Sequence, residues 1–274
     1  MSVTEDTLHS LSVDYITATT KDRDAAKPFH NFASGLFRAQ RDMGNDAKPW
    51  SGSGFKGWQC GQVQISMCDD ACMVRLSSDE AARSWRKLVQ LSQNISRLDL
   101  QATVVLPSSV TRRIDTHKRQ AAAHSAKLDH LPIVRWIQDV RGGYTLYLGS
   151  RDSLVFGRIY DKWQRDQLDH FRDCVRYEVQ FQKKLSRQIA LAMSCTGSER
   201  PRIASHVSQF FRGRGVRLEL PYDDGATYCC SRPRSDVDKH LEWLRKAVRP
   251  TVMRLIDADR GEDVLRALGL VTDD

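Results

Sequence analysis

Arg158, Tyr160 and Lys162 alternate along one short run, so if that run is a strand the three side chains share a face. A phenol flanked by two cations can ionise more easily, and the cations can hold a phosphate beside it. That is the chemistry of a nucleophile aimed at a phosphodiester. Further along, residues 176–182, RYEVQFQ, divide into an apolar face of Tyr177, Val179 and Phe181 and a polar face of Arg176, Glu178, Gln180 and Gln182. Residues 96–104, SRLDLQATV, repeat the pattern: Arg97, Asp99 and Gln101 oppose Leu98, Leu100 and Ala102. Side by side in one sheet, the two strands would gather the carboxylates of Asp99 and Glu178 with the amide oxygens of Gln101 and Gln180. Such oxygen donors suit Mg2+ or Mn2+ rather than zinc. In the plain alternative, Tyr160 is a surface tyrosine among solvated cations, and each carboxylate pairs with its own strand's arginine.

Positioning these groups requires a sheet. Residues 144–148 and 155–160 read as antiparallel strands joined at Gly149-Ser150-Arg151, where Ser150, Arg151 and exposed backbone amides could grip a phosphate. Residues 13–20 alternate well enough to form a first strand, with Asp14 as a polar member of the same sheet. A helical spacing of aromatics follows over residues 29–37, then a glycine-rich loop at 50–58 that reads as a hairpin connection, then strands at 61–67 and 72–76. Ser77 and Glu80 have the spacing of a capping box opening a helix. A basic helix is expected over residues 110–127, a turn at Arg141-Gly142-Gly143, and helices at 184–193 and 203–211. Residues 212–217 form a basic loop preceded by Phe210 and Phe211, a composition suited to single-stranded DNA. The expected fold is α+β: a mostly antiparallel sheet, built as a duplicated half-domain, with helices on one face and a helical C-terminal segment. The domain expectation is residues 1–232 for the main domain and 233–274 for the helical segment.

The order NISRLDLQ, YLGSRDSLVFGRIYDK and VRYEVQ, with FKGWQCGQVQI and MVRLSSDEAARSW upstream and LEWLRKAVRPTV downstream, resembles the replication initiation factor family of rolling-circle plasmids and filamentous phages. The resemblance implies a metal-dependent nickase whose tyrosine attacks a DNA phosphate, frees a 3′ hydroxyl and stays joined to the 5′ end. Carried over by position, Tyr160 matches the nucleophile, and Asp99 and Glu178 match acidic metal-site positions. Family members often follow RLDL with a further acid, where this chain has Gln101. Arg158 and Lys162 would stabilise the phosphate oxyanions, and Arg97, Ser150, Arg151 and Arg176 would contact DNA. The implied partners are single-stranded or hairpin origin DNA, a host helicase and a second copy of the chain. A conjugative relaxase of the same family is an alternative, as is a DNA-binding regulator that keeps the fold without the chemistry.

Composition agrees with a polyanionic partner: 42 Lys and Arg against 34 Asp and Glu give a formal charge of +8 over 274 residues. No run of apolar residues is long enough to span a membrane, and MSVTEDTLHS lacks the basic and apolar order of a signal peptide, so a cytoplasmic protein of a bacterial host is expected. Seven irregularly spaced cysteines point to reduced thiols, and without any His-x-His or HExxH pattern the histidine-pair metal site of the better-known rolling-circle nickases is not expected.

Overall fold

The computed structural model describes residues 7–21, 23–69, 71–106, 109–127, 134–138, 143–195, 198–223 and Met253. The chain divides into two units, Met1–Tyr228 and Cys229–Asp274. The sheet and the helices that pack on it belong to the first unit. The expected C-terminal helical segment and its boundary at 232/233 lie outside the described residues.

In chain order the elements are β1 (Leu8–Thr20), α1 (Arg23–Asp42), β2 (Ala47–Gly52), β3 (Phe55–Cys60), β4 (Val63–Cys68), β5 (Ala71–Ser77) and α2 (Ser78–Leu91). Then follow β6 (Asn94–Val105), α3 (Val110–Ser125), β7 (Val134–Gln138), β8 (Tyr144–Leu148), β9 (Val155–Asp161), α4 (Lys162–Asp166), β10 (Cys174–Gln182), α5 (Lys183–Ser194) and α6 (Arg200–Arg212). All ten strands join one antiparallel sheet in the order β2-β3-β4-β5-β1-β6-β10-β9-β8-β7. The expected α+β class is the observed one.

The duplication lies in this order. Each half is a strand, a helix, a four-stranded meander whose last strand returns to pair with the first, and a closing helix. The halves meet where β1 and β6 run antiparallel, with Val13 opposite Leu100 and Ile16 opposite Leu98. Ser78 and Lys183, which open the two closing helices, both take left-handed backbone angles, φ 51° and 56°, so even the strand-to-helix joint is repeated. The matching sequence patterns on β6 and β10 are not the duplicated pair, however: β6 is the first strand of its half and β10 the last. Their likeness reflects a shared polar face.

Alternation explains the layering. On β6, Leu98, Leu100, Ala102 and Val104 point into a core completed by Ile189 and Met193 of α5, Val207 and Phe211 of α6, and Trp85 and Leu88 of α2. Gly157 on β9 is required by this packing, because a Cβ there would sit 2.2 Å from the Phe210 ring. Two local expectations are corrected. Residues 50–58 are mostly strand, with the turn confined to Ser53-Gly54, both at positive φ as a two-residue hairpin requires. The capping box at Ser77 does not form: the Glu80 amide donates instead to Gln62 Oε1 at 2.8 Å, and Ser77 Oγ donates to the Gln62 carbonyl.

Beneath α3, His117 is buried with Nε2 2.8 Å from the Tyr177 hydroxyl and Nδ1 3.1 Å from Gln120 Oε1. Since the carboxamide oxygen only accepts, Nδ1 carries the proton and Nε2 accepts from the phenol, which fixes the neutral tautomer. Burial lowers the His117 pKa to about 4. The folded value lies below the unfolded one, so the unfolded chain binds more protons between the two, and stability is lost as pH falls from about 6.5 to about 4. Urea denaturation across this window should show a loss of roughly 3 kcal/mol beyond that of His117→Gln. Parallel pH curves for the two proteins would show that His117 does not contribute it.

Candidate active site

The face of the sheet opposite the helices carries the polar residues of the central strands, and the register decides which meet. Glu178 on β10 lies between Gln101 on β6 and Arg158 on β9; Gln180 lies beside Asp99, and Arg176 beside Tyr160. The structure therefore brings Asp99, Gln101, Glu178, Gln180, Arg158 and Tyr160 onto one patch, as alternation predicts. It is not a solvated patch: Asp99, Glu178, Gln101 and Tyr160 are all at most 2% exposed.

Burial forces every charge to find a partner. Arg97 holds both oxygens of Asp99, Nε to Oδ1 at 2.8 Å and a terminal nitrogen to Oδ2 at 2.5 Å, and lies 4.0 Å above the Tyr15 ring. Arg158 pairs with Glu178 Oε1, while the Tyr160 hydroxyl donates to Glu178 Oε2 at 3.0 Å. Arg176 donates to Asp14 at 2.9 Å and to the Thr103 hydroxyl at 3.0 Å. Gln101 donates to Ser10 and Ser12 of β1 and accepts from Thr103. The plain alternative thus holds for Asp99, which pairs within its own strand. Glu178 pairs instead across to β9.

These contacts correct the expected ionisation of Tyr160. Burial, followed by the Glu178 carboxylate, pushes the phenol well above its usual range; Arg176 and Arg165 pull the other way and lose. Tyr160 is therefore a protonated donor in this arrangement, with a carboxylate in place to receive its proton. Burial also works against charge on Glu178, but Arg158, then Arg176 and Arg165, hold its carboxyl below the ordinary value. For Asp99 burial wins over Arg97 and raises the pKa to about 7. The two carboxylates share one desolvated patch and differ because Glu178 has more cations around it.

Lys162 is not on the strand. It is the first residue of α4, its ammonium pairs with Asp166 and lies 4.8 Å from the Phe171 ring centre, and burial, then Arg176, lowers its pKa. Ser150 and Arg151 sit in the β8–β9 connection, where the Ser150 hydroxyl accepts from the Asp152 amide and Gln182 donates to the Arg151 carbonyl at 2.6 Å. Arg165 was not anticipated: its guanidinium lies 4.9 Å from the Tyr160 ring centre, with that of Arg158 5.6 Å away. A cavity of about 310 Å³ opens beside Tyr160, Arg158 and Arg165. Asp14, read only as a sheet member, is drawn to Arg176 by a bulge between Val13 and Tyr15.

The donor set in this arrangement does not fit a hard divalent ion. All four carboxylate oxygens of Asp99 and Glu178 face guanidinium or phenol donors, and the Gln101 carboxamide oxygen accepts from Thr103. Among the described residues no group of three or more His, Cys, Asp or Glu side chains gathers for a metal.

No family model and no curated protein matches this chain. Among solved structures it is similar to a rolling circle replication initiator protein from Geobacillus stearothermophilus, with a TM-score of 0.53 and 17% identity over 73% of this chain and 85% of that one. The likeness is one of fold. It agrees with the α+β architecture expected from the sequence pattern, and no helix among the described residues is long and apolar enough to cross a membrane.

Because the Arg158–Glu178 pair is buried, removing one partner leaves the other charge uncompensated. Glu178→Gln should destabilise the fold by roughly 3 to 5 kcal/mol in urea denaturation, and the Arg158→Met, Glu178→Met double variant should recover most of that loss. A double-variant loss equal to the sum of the losses of the two single variants at Arg158 and Glu178 would mean that the pair is not energetically coupled.

Proposed function

We propose that this chain is a rolling-circle replication initiator of a phage or plasmid, nicking and rejoining origin DNA through a covalent phosphotyrosine on Tyr160. The observation that carries the reading is the Tyr160 phenol, hydrogen-bonded to Glu178 and flanked by the guanidinium groups of Arg158 and Arg165 beside a cavity. The shared fold and the ordered sequence resemblance point the same way.

In this reading a phosphodiester enters the cavity and places a nonbridging oxygen against Arg158 and Arg165, which offset its charge as the reaction proceeds. The phenol oxygen attacks phosphorus in line while its proton passes to Glu178 Oε2. The P–O3′ bond breaks, the 3′ oxygen takes a proton from water and leaves as a hydroxyl, Glu178 returns its proton to solvent, and the 5′ phosphate remains esterified to Tyr160. Reversal by a 3′ hydroxyl rejoins the strand. Dependence on Mg2+ or Mn2+ is proposed from the resemblance: Asp99 and Glu178 would hold the ion only after Arg97 and Arg158 turn away. Lys162 and Arg176, already tied to Asp166 and Asp14, contribute through the field of the buried patch.

The same burial favours a second reading. A phenol at 2% exposure with both carboxylates capped also suits a DNA-binding regulator that forms no adduct.

One gel separates them. Wild type and Tyr160→Phe are incubated with 5′- and 3′-labelled single-stranded DNA from the protein's own replicon plus manganese, then run under denaturing conditions. The expected result is a slower protein–DNA band in wild type alone, abolished by EDTA and restored by manganese. An adduct that persists in Tyr160→Phe would move the nucleophile elsewhere. DNA binding with no adduct in any lane would favour the regulator.

A further inference from the structure

Beyond Tyr160 the polar face continues as a groove. The 310 Å³ cavity beside Tyr160 adjoins a second of about 200 Å³, and Tyr147 and Ile137 line both. Register makes this continuous: Tyr147 on β8 lies between Arg158 on β9 and Arg135 on β7, and Thr145 lies between Tyr160 and Ile137. At the far end the Arg151 guanidinium lies 5.2 Å from the Tyr147 ring centre. Arg135 and Arg151 are exposed, and Arg165 is 52% exposed at the Tyr160 end.

We propose that this groove along β8 is a subsite for single-stranded DNA, with one base stacked on Tyr147 and the flanking phosphates held by Arg135, Arg151 and Arg165. The inference deepens the nickase reading by naming where the strand beside the scissile phosphate lies. Three observations carry it. An aromatic ring is half-buried midway along the groove, where it can present a face at low entropic cost. The cationic side chains Arg135, Arg151, Arg158 and Arg165 are spread along its length, with the Asp161 carboxylate turned to cap the Gln164 amide. Finally, Tyr147 and Tyr160 are diagonal neighbours on adjacent strands, roughly 7 Å apart, so a base on the first and a phosphate at the second belong to adjoining nucleotides.

The chemistry selects a single strand. Stacking on a ring at the groove floor needs an unpaired base, and every base has a π face, so the subsite grips without reading sequence. Base stacking of this kind is sensitive to loss of the ring and indifferent to loss of the hydroxyl.

The test is fluorescence anisotropy of the full-length protein with a labelled oligothymidylate of about 15 nucleotides, over a salt series, in wild type, Tyr147→Ala, Tyr147→Phe, Arg135→Ala and Arg151→Ala. Tyr147→Ala should weaken binding roughly tenfold or more, whereas Tyr147→Phe should stay within about twofold. Each exposed arginine variant should make the log-affinity against log-salt slope shallower by roughly one phosphate's worth. Unchanged affinity in Tyr147→Ala, or tighter binding of the corresponding duplex than of the single strand, overturns the subsite. The arginine variants keep the test decisive if Tyr147→Ala fails to fold: salt slopes unchanged in both also overturn it. Tyr147-dependent binding of the oligothymidylate, together with no covalent adduct on the replicon DNA in the denaturing gel, would uphold the groove and sink the nickase. An adduct with Tyr147-independent binding would do the reverse.

Discussion

Desolvation of the carboxylates on the central strands is the constraint on which the rest of the polar face depends. A lone ionised carboxylate in this position would cost several kcal/mol, and the sheet cannot avoid having two, because Asp99 and Glu178 sit on neighbouring strands where hydrogen-bond register leaves no freedom to separate them. Arg97 and Arg158 are the response, and the rest of the network follows from them. Once Arg158 occupies one oxygen of Glu178, the other is left to the Tyr160 hydroxyl. Once Arg176 is drawn away to Asp14 and Thr103, Gln101 completes its own bonds with hydroxyls on β1. The orientation of the phenol is thus set by the charge pairing of Arg158 on its own strand with Glu178 on the adjacent one.

The duplicated topology sharpens this point because the paired carboxylates lie on the central strands of the second half. At the register positions equivalent to Asp99, Arg158 and Glu178, the first half has Thr17, Ser66 and Met73. The same backbone therefore supports uncharged residues at these three positions in one half, with Arg75 close by over the Trp50 ring, and an ion-pair network in the other, which separates what the fold requires from what the site requires. The fold requires the inward alternation of Val13, Ile16 and Ala18 on β1 and of Leu98, Leu100 and Ala102 on β6, and both halves have it. The charges are extra, and they are the expensive part.

Alternation made much of this legible from residues alone. Period-two patterns placed β6, β9 and β10 and assigned Asp99, Glu178, Arg158 and Tyr160 to polar faces, because side-chain direction in a strand is a local property. What was not legible was set by distant partners. Lys162 looked like the next member of the β9 face, but Asp161 caps a helix there and ends the strand. Asp14 reaches Arg176 at a bulge in the pairing of β1 with β6, which no local pattern in the sequence announces. Arg165 lies on a helix of five residues with no periodicity to announce it. The ionisation of Tyr160 was misjudged for the same reason: its neighbouring cations are visible along the chain, whereas its burial and its contact with Glu178 are not. Ser77 and Glu80 carried a correct helix start with the wrong hydrogen bonds, since Gln62 from another strand supplied the partner.

The position of β1 has a consequence for the order in which the chain can be assembled. Within the first half, β1 needs only β5 to pair along one side, and both strands emerge from the ribosome early. Its other edge has no partner until β6 arrives, so a nascent chain carries a long unpaired strand edge in the meantime, the kind of surface that recruits other nascent chains. Glu178 is made later still, after two more α-helices and three more strands. Tyr160 therefore acquires its acceptor only when β10 closes the second meander, and a truncated or stalled chain would hold the phenol without the carboxylate that orients it.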